Sequence, residues 1–137
     1  LSMICSHAEA VKADEVWYGA AQADSLAGYW DGSEEFVEQI NKVTALNREN
    51  RITVKAPLIE MSKKEIIEAG VSLGVNFYNT YTCYSGEYPC DANSASSALR
   101  LRGFVEAGLI DPLRYKQQDK LDRLYQDNNC RPIIMKR

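Results

Sequence analysis

The sequence predicts an α/β fold, namely the C-terminal part of a doubly wound parallel sheet followed by a helical C-terminal segment. A helical period over residues 1–13 leads into the β-rich segment from Glu15 to Gly19. A Gly/Ala loop follows at the carboxyl end of that strand. In open α/β sheets, ligands bind beyond the carboxyl ends of the strands. The loop from Ala20 to Ser33 is therefore the first candidate for a binding site.

Three further signals place the next elements. A helical stripe begins after Ser33, whose hydroxyl is the expected cap. The segment ITVKA ends a strand at about Ala56, before Pro57. Ser62 with Glu65 three residues on forms a capping box, which opens another helix. The chain thus alternates helix and strand through its first half.

The second half is predicted to be helical around a long loop. The loop covers 76–93 and has no periodicity, whereas helical spacing returns over 98–109 and again around 121–124. We expect one partial domain over 1–137, divided into the latter part of the sheet domain (1–75), a cysteine-bearing loop and helix (76–113), and a helix with a tail (114–137). In the first strand, Trp17 is expected to be a core residue rather than a platform for a ligand.

Composition narrows the class of protein. The 137 residues are 45% hydrophobic, which suffices for one core, and the 16 basic and 19 acidic residues are interspersed, for a net charge of -3. This balance favours neither nucleic acid nor a membrane surface as a partner. Four cysteines are too few for a disulfide framework and fit a reducing cytoplasm. The start at Leu1, already within helical periodicity, leads us to expect a fragment.

Two of these cysteines are candidate metal ligands. Cys83 and Cys90 lie in the long loop, separated by six residues. Thiolates at such a spacing can begin a structural zinc site, which needs four ligands in a tetrahedral arrangement. Two unrelated loop thiols are the alternative, and spacing alone leaves both interpretations open.

Three segments of the chain together resemble one protein family. They are YGAAQADSLAGYWDGSEEF, APLIEMSKKEIIEAGVSLGV and TYTCYSGEYPCDANSASSALRLRGFVEAG, in that order. All three are similar to motifs of the 7-cyano-7-deazaguanine synthases, and the resemblance runs from Leu1 to about Leu113. It implies an adenine nucleotide alpha hydrolase-like fold. Three motifs in the same order are far more specific than any one of them.

The first of these segments resembles the substrate loop of the family. The resemblance implies that Asp24, Tyr29 and Asp31 bind the substrate, and a carboxylate is suited to accept paired N–H donors from a guanine-like ring. The family's D-C-R is Asp31-Gly32-Ser33 here, so a thiol and a guanidinium are lost. The alternative is that Asp24 and Asp31 are ordinary loop aspartates that form local turns.

The third segment resembles the zinc-binding signature of the family, in which four cysteines hold the ion. Cys83 and Cys90 match two of them, whereas Ser94 and Ser97 stand at the other two positions, with one extra residue after Cys90. A serine hydroxyl is a poor substitute for a thiolate, so zinc is doubtful in this chain. Cys130 is a more distant third thiol. The alternative role of Ser94 and Ser97 is to cap a helix N-terminus.

The resemblance implies an ATP-dependent ligase that acts with Mg²⁺ and converts 7-carboxy-7-deazaguanine and ammonia into 7-cyano-7-deazaguanine for queuosine or other 7-deazapurines. The family's S-G-G-x-D-S phosphate loop is absent from the 137 residues, so we expect this chain alone to be inactive. The expected partners are a small 7-deazaguanine substrate and either a missing N-terminal half or a second copy. The alternative is a catalytically inactive synthase-like binding or interaction module.

Overall fold

The computed structural model describes residues 1–26, 28–47 and 49–134. Contacts divide the chain into two compact units, Leu1–Met61 and a second that begins at Ser62. The described elements of the first unit are, in chain order, α1 (Ser2–Ala10), β1 (Glu15–Trp17), α2 (Gln22–Leu26), a 3-10 turn (Trp30–Gly32), α3 (Glu34–Thr44) and β2 (Thr53–Lys55). The domain boundaries expected from the sequence stay predictions.

The first unit is built on two parallel strands. Val16 of β1 pairs with Val54 of β2, and both side chains are buried. Cys5 and Ala8 of α1 pack on them, with Val37 and Ile40 of α3 partly buried at the border of this core.

Polar side chains fix helix α3 on the strands. The Ser33 hydroxyl accepts a hydrogen bond from the Phe36 N–H at 3.1 Å, which confirms the predicted cap. The Asn41 amide donates to the Val54 carbonyl at 2.9 Å and accepts from the Val54 N–H at 2.8 Å. Asn41 therefore satisfies both backbone groups of Val54, in the manner of a neighbouring strand.

The second unit is helical and tightly packed. Its elements are α4 (Lys63–Ser72), a 3-10 turn (Phe77–Asn79), α5 (Ala95–Glu106) and α6 (Gln118–Asp127). The predicted capping box of Ser62 and Glu65 is present at the start of α4. Gly103 brings α5 close to α4, because a Cβ placed there would lie 2.8 Å from Cβ of Lys63. Ile67 and Phe104 form the core between these two helices.

The α/β class is confirmed, with a sheet of two parallel strands among the described residues. The expectation that Trp17 is a core residue is wrong, because its side chain is 68% exposed. Successive side chains alternate between the faces of a strand, so burial of Val16 places Glu15 and Trp17 on the opposite face. There the indole N–H of Trp17 donates to the Glu15 carboxylate at 2.9 Å. Within the described ranges, no helix combines the length and apolarity that crossing a bilayer requires.

Candidate substrate loop and cysteine cluster

The candidate substrate loop begins at the carboxyl end of β1, as the sequence predicts. Asp24 lies in the first turn of α2, where its carboxylate accepts a hydrogen bond from the Ala21 N–H at 2.9 Å. The Asp24 carbonyl accepts from the Tyr29 N–H at 3.1 Å, which closes the loop on itself. Gly32 packs against this turn, since a Cβ there would lie 2.7 Å from Cβ of Asp24. Asp24 thus shapes the loop. One of its two carboxylate oxygens accepts the Ala21 N–H, and the other takes no part in this contact.

Tyr29 and Asp31 are presented to solvent at the tip of the same loop. The Tyr29 side chain is 64% exposed, and Asp31 is also exposed. Gly28 supplies the left-handed backbone before them, with φ of 86°. The structure therefore brings the three predicted substrate residues into one loop, and it leaves two of them accessible.

Tyr18 is a further member of this site that the sequence analysis did not single out. It follows β1 directly, and its N–H donates to the Lys55 carbonyl at 2.7 Å. Burial raises the pKa of its phenol, with added contributions from the charges of Asp31 and Asp24. Both carboxylates therefore act on the same phenol. The feature of the sequence that could have identified Tyr18 is its position at the carboxyl end of a predicted strand.

An open apolar groove of about 420 Å³ lies along α3 and includes Trp30 and Ser33 of the loop. Trp30 stacks edge-on against Phe36 at 5.0 Å on one side, and Ile40 and Val43 continue the groove along the helix. Asp24, Tyr29 and Asp31 are not among its lining residues. The groove is therefore separate from the predicted substrate residues.

In the second unit, Cys83 lies against serine hydroxyls. Its sulfur is 3.1 Å from the Ser85 hydroxyl, and the Ser94 hydroxyl donates to it at 3.8 Å. Ser94 and Ser97 are hydrogen-bonded to each other through their hydroxyls at 2.8 Å. Hydrogen bonds, first of all from Ser85, lower the pKa of the Cys83 thiol to about 6. The structure thus places three of the four predicted metal-site positions in one hydrogen-bonded cluster.

Cys90 is fully buried in the same core as Cys83. Its N–H donates to the Arg114 carbonyl, and its carbonyl accepts from the Lys116 N–H, both at 2.9 Å. Burial raises the pKa of the Cys90 thiol. Burial, together with the two nearby thiols, also raises the pKa of Tyr81 to about 12. The Tyr81 hydroxyl donates a hydrogen bond to the Glu87 carbonyl at 2.6 Å.

These residues do not fit a structural zinc ion. Such a site needs four ligands, and serine hydroxyls do not replace thiolates. In the part of the chain that the structure describes, no three His, Cys, Asp or Glu side chains converge as metal ligands. Cys130, the more distant third thiol, contacts the carbonyls of Val105 and Asn128 at 4.0 Å instead.

Comparison with known proteins identifies the family behind these two sites. The family model described as "Queuosine biosynthesis protein QueC" matches residues 1–108. The chain belongs to the QueC family. Relatives named 7-cyano-7-deazaguanine synthase include one from Chlorobium phaeobacteroides, 40% identical over 86% of this chain and 53% of the relative. Others come from Oceanobacillus iheyensis, 36% identical over 84% of the chain and 52% of the relative, and from Clostridium kluyveri, 36% identical over 85% and 54%. The chain therefore spans about half the length of the curated relatives it matches.

Two residues of the QueC-like third motif, Thr80 and Arg100, are joined by a buried network. The Arg100 guanidinium binds both carboxylate oxygens of Asp111, at 2.7 and 2.8 Å, and donates to the Thr80 hydroxyl at 2.7 Å. The Tyr115 hydroxyl donates to Asp111 at 2.7 Å. Burial acts to lower the pKa of Arg100, but Asp111 outweighs it and the pKa is raised. This network fixes the start of the cysteine loop on α5.

The role of Asp111 was not predicted from the sequence. Asp111 stands before Pro112, and this pair is typical of a break after a helix. The helical spacing of Ala98, Leu101 and Val105 puts Arg100 on the other side of the helix, so the pattern gave no sign of its burial. Once Arg100 is buried, its charge needs a partner.

Proposed function

We propose that this chain forms the substrate-binding half of a 7-cyano-7-deazaguanine synthase, an ATP-dependent ligase that converts 7-carboxy-7-deazaguanine and ammonia into the nitrile. Membership of the QueC family and the names of the relatives support the reaction. The observation that carries the assignment of the site is the loop at the carboxyl end of β1, which Asp24 closes through the Ala21 and Tyr29 N–H groups and which leaves Tyr29 and Asp31 exposed.

Within this proposal the loop residues have different tasks. Asp31 is exposed and has a carboxylate that can accept two N–H donors from the edge of a guanine-like ring. Tyr29 offers an exposed ring face for stacking beside it. Asp24 holds the turn through the Ala21 N–H and therefore positions the loop. The residues that pair with the substrate carboxylate lie elsewhere in this proposal, since Gly32 and Ser33 replace the family's cysteine and arginine.

The residues of the first unit do not fit ATP phosphates at the end of β1. The helix that follows this strand, α2, has five residues, and the Asp24 carboxylate already accepts the Ala21 N–H there. A phosphate at the same place would meet that negative charge at close range. We therefore propose that ATP and Mg²⁺ bind to a part of the complete enzyme outside these 137 residues. The doubly wound sheet is proposed for that complete enzyme.

An N-terminal half or a second copy of the chain is the proposed partner. The exposed Trp17 and Trp30 supply large apolar surfaces for such a contact. A cytoplasmic location is proposed with it, since all four cysteines are free thiols.

Titration calorimetry of 7-carboxy-7-deazaguanine into the chain tests the assignment of the substrate loop. We expect Asp31→Asn to weaken binding about tenfold or more, because the amide replaces one of the two acceptor oxygens with an NH2 group that only donates. The matched control is Asp14→Asn, an exposed aspartate outside the loop, which should bind like the unmodified chain. Equal affinities of the two variants would contradict the assignment.

A second experiment tests the reaction. The chain is combined with the N-terminal half of the Chlorobium phaeobacteroides relative and supplied with ATP, Mg²⁺, ammonia and the carboxylate. We expect substrate-dependent release of AMP and formation of the nitrile by the combination and none by the chain alone. Binding of the carboxylate without turnover in the combination would instead support a catalytically inactive binding module.

A further inference from the structure

The family resemblance implies a zinc ion in the cysteine loop, but the residues of this chain do not fit one. Contacts within the protein hold the loop together instead. The Ser94 hydroxyl, at one of the four positions, is fully engaged. It accepts from the Ser97 N–H at 3.3 Å, bonds to the Ser97 hydroxyl at 2.8 Å and donates to the Cys83 sulfur at 3.8 Å. Contacts that a metal would supply in a four-cysteine site are therefore made by hydrogen bonds.

We infer that a network of serine hydroxyls and the Cys83 thiol closes the cysteine loop onto the N-terminus of α5, so that the second unit folds without a metal ion. This network, which we call the serine lock, consists of Cys83, Ser85, Ser94 and Ser97.

Every hydroxyl group of the serine lock can have a hydrogen-bond partner. The Ser97 hydroxyl is completely buried, so leaving it without a partner would destabilise the fold. One arrangement of protons serves every group, because Ser97 can donate to Ser94 and Ser94 to the Cys83 sulfur. On the other side of Cys83, the Ser85 hydroxyl contacts the sulfur and accepts from the Glu87 N–H at 3.2 Å. Each hydroxyl thus has a partner within the protein.

Two anchors fix the loop on either side of Cys83 and Ser85. Thr80 accepts a hydrogen bond from the buried guanidinium of Arg100 at 2.7 Å. Cys90 is held through its backbone, between the Arg114 carbonyl and the Lys116 N–H. Because the ends of the loop are fixed by direct protein contacts, the serine lock has only the middle of the loop to hold.

The first test is metal content and its effect on stability. The 137-residue chain is purified from zinc-supplemented medium, analysed for zinc by mass spectrometry and melted with and without EDTA. We expect far less than one equivalent of zinc and the same melting temperature in both samples. Zinc near one equivalent, with a melting temperature that falls in EDTA, would overturn the inference. Neither measurement depends on catalytic activity or on substrate binding.

The second test removes a single hydroxyl from the serine lock. Ser97→Ala leaves the Ser94 cap intact and deletes only the buried hydroxyl, so we expect the melting temperature to fall by about 4 °C or more. The control is Ser72→Ala in α4 of the same unit, whose exposed hydroxyl donates to the Ala69 carbonyl. Its melting temperature should change by at most about 1 °C. Equal shifts in the two variants would show that the serine lock does not hold the loop.

Discussion

Helices α3 and α5 are similar in length and differ in how they are covered. Helix α3, in the first unit, contains no buried residue, and it carries the exposed apolar groove. Helix α5, in the second unit, buries five side chains or backbone positions: Ser97, Arg100, Leu101, Gly103 and Phe104. Helix α5 buries a charged residue, Arg100, and pairs it with Asp111 inside the second unit, whereas α3 presents an apolar groove to solvent. We therefore expect single substitutions in the second unit to change its stability strongly. We expect a partner to cover the exposed apolar surface of the first unit.

The largest expected effect comes from breaking the buried ion pair of the second unit. Asp111→Asn leaves the Arg100 guanidinium buried without its countercharge, so we expect the free energy of unfolding to fall by about 3–5 kcal/mol in urea titrations. The matched control is Glu106→Gln, which breaks the exposed pair with Arg102 and should cost about 0.5 kcal/mol or less. Similar losses in both variants would refute the contrast between buried and exposed pairs.

A smaller loss is expected from one added methyl group between α4 and α5. Gly103→Ala places a Cβ 2.8 Å from Cβ of Lys63 and 2.9 Å from Cδ1 of Ile67. The strain outweighs the helix preference of alanine, for a net loss of about 1–2 kcal/mol. Gly19→Ala in the first unit meets nothing within 4 Å and should change the free energy of unfolding by less than about 0.5 kcal/mol. Thermal and urea unfolding of both variants measure the difference.

A pH effect of similar or smaller size is expected from Tyr115. Burial raises the pKa of its phenol above the ordinary value of about 10. The neutral phenol therefore contributes stability that is complete below pH 10 and is lost as the pH rises above it, by up to about 1.4 kcal/mol per pH unit. Urea unfolding between pH 8 and 11 should show this slope in the Tyr84→Phe control, whose side chain is 97% exposed. Tyr115→Phe should make this slope shallower and leave the part due to Tyr125 and Tyr81, whose pKa values are also raised by burial. An unchanged slope in that variant would contradict the expectation.

The smallest effect concerns the two tryptophans, both in the first unit. Trp17 is 68% and Trp30 73% exposed, so their fluorescence in the folded chain should resemble that of the urea-unfolded chain. Acrylamide quenching at several chain concentrations measures this directly. Emission that shifts to the blue, with quenching that weakens as concentration rises, would show that a second copy covers these side chains. That result would sharpen the comparison, because the exposed surface of the first unit would then be an interface.

Local signals allowed much of the fold to be predicted. The caps at Ser33 and Ser62 depend on hydroxyl groups a few residues from the N–H groups they bind, so sequence spacing reveals them. Burial of Trp17 was predicted wrongly, because strand composition does not tell which face is covered. The Arg100 to Asp111 pair joins a helix to the chain beyond it, and sequence spacing carries no sign of such a contact.

The candidate sites were predictable to different degrees. Asp24, Tyr29 and Asp31 fall in one loop because they are close in sequence, so their proximity follows almost directly from the segment. Their roles in substrate binding stay predictions. The approach of Ser94 to Cys83 requires the loop to return onto α5, and the family resemblance rather than the spacing indicated it. Tyr18 was missed because an aromatic residue after a strand is usually read as core.

Parallel pairing of β1 and β2 also has a consequence for the time course of synthesis. Glu15 pairs with Thr53, so the whole crossover containing α2 and α3 must leave the ribosome before the strands can meet. At ordinary elongation rates β1 waits about 2–8 s for its partner. Over that interval the backbone groups of β1 lack the partner that β2 provides, and they are open to contact with chaperones or with another copy of the chain.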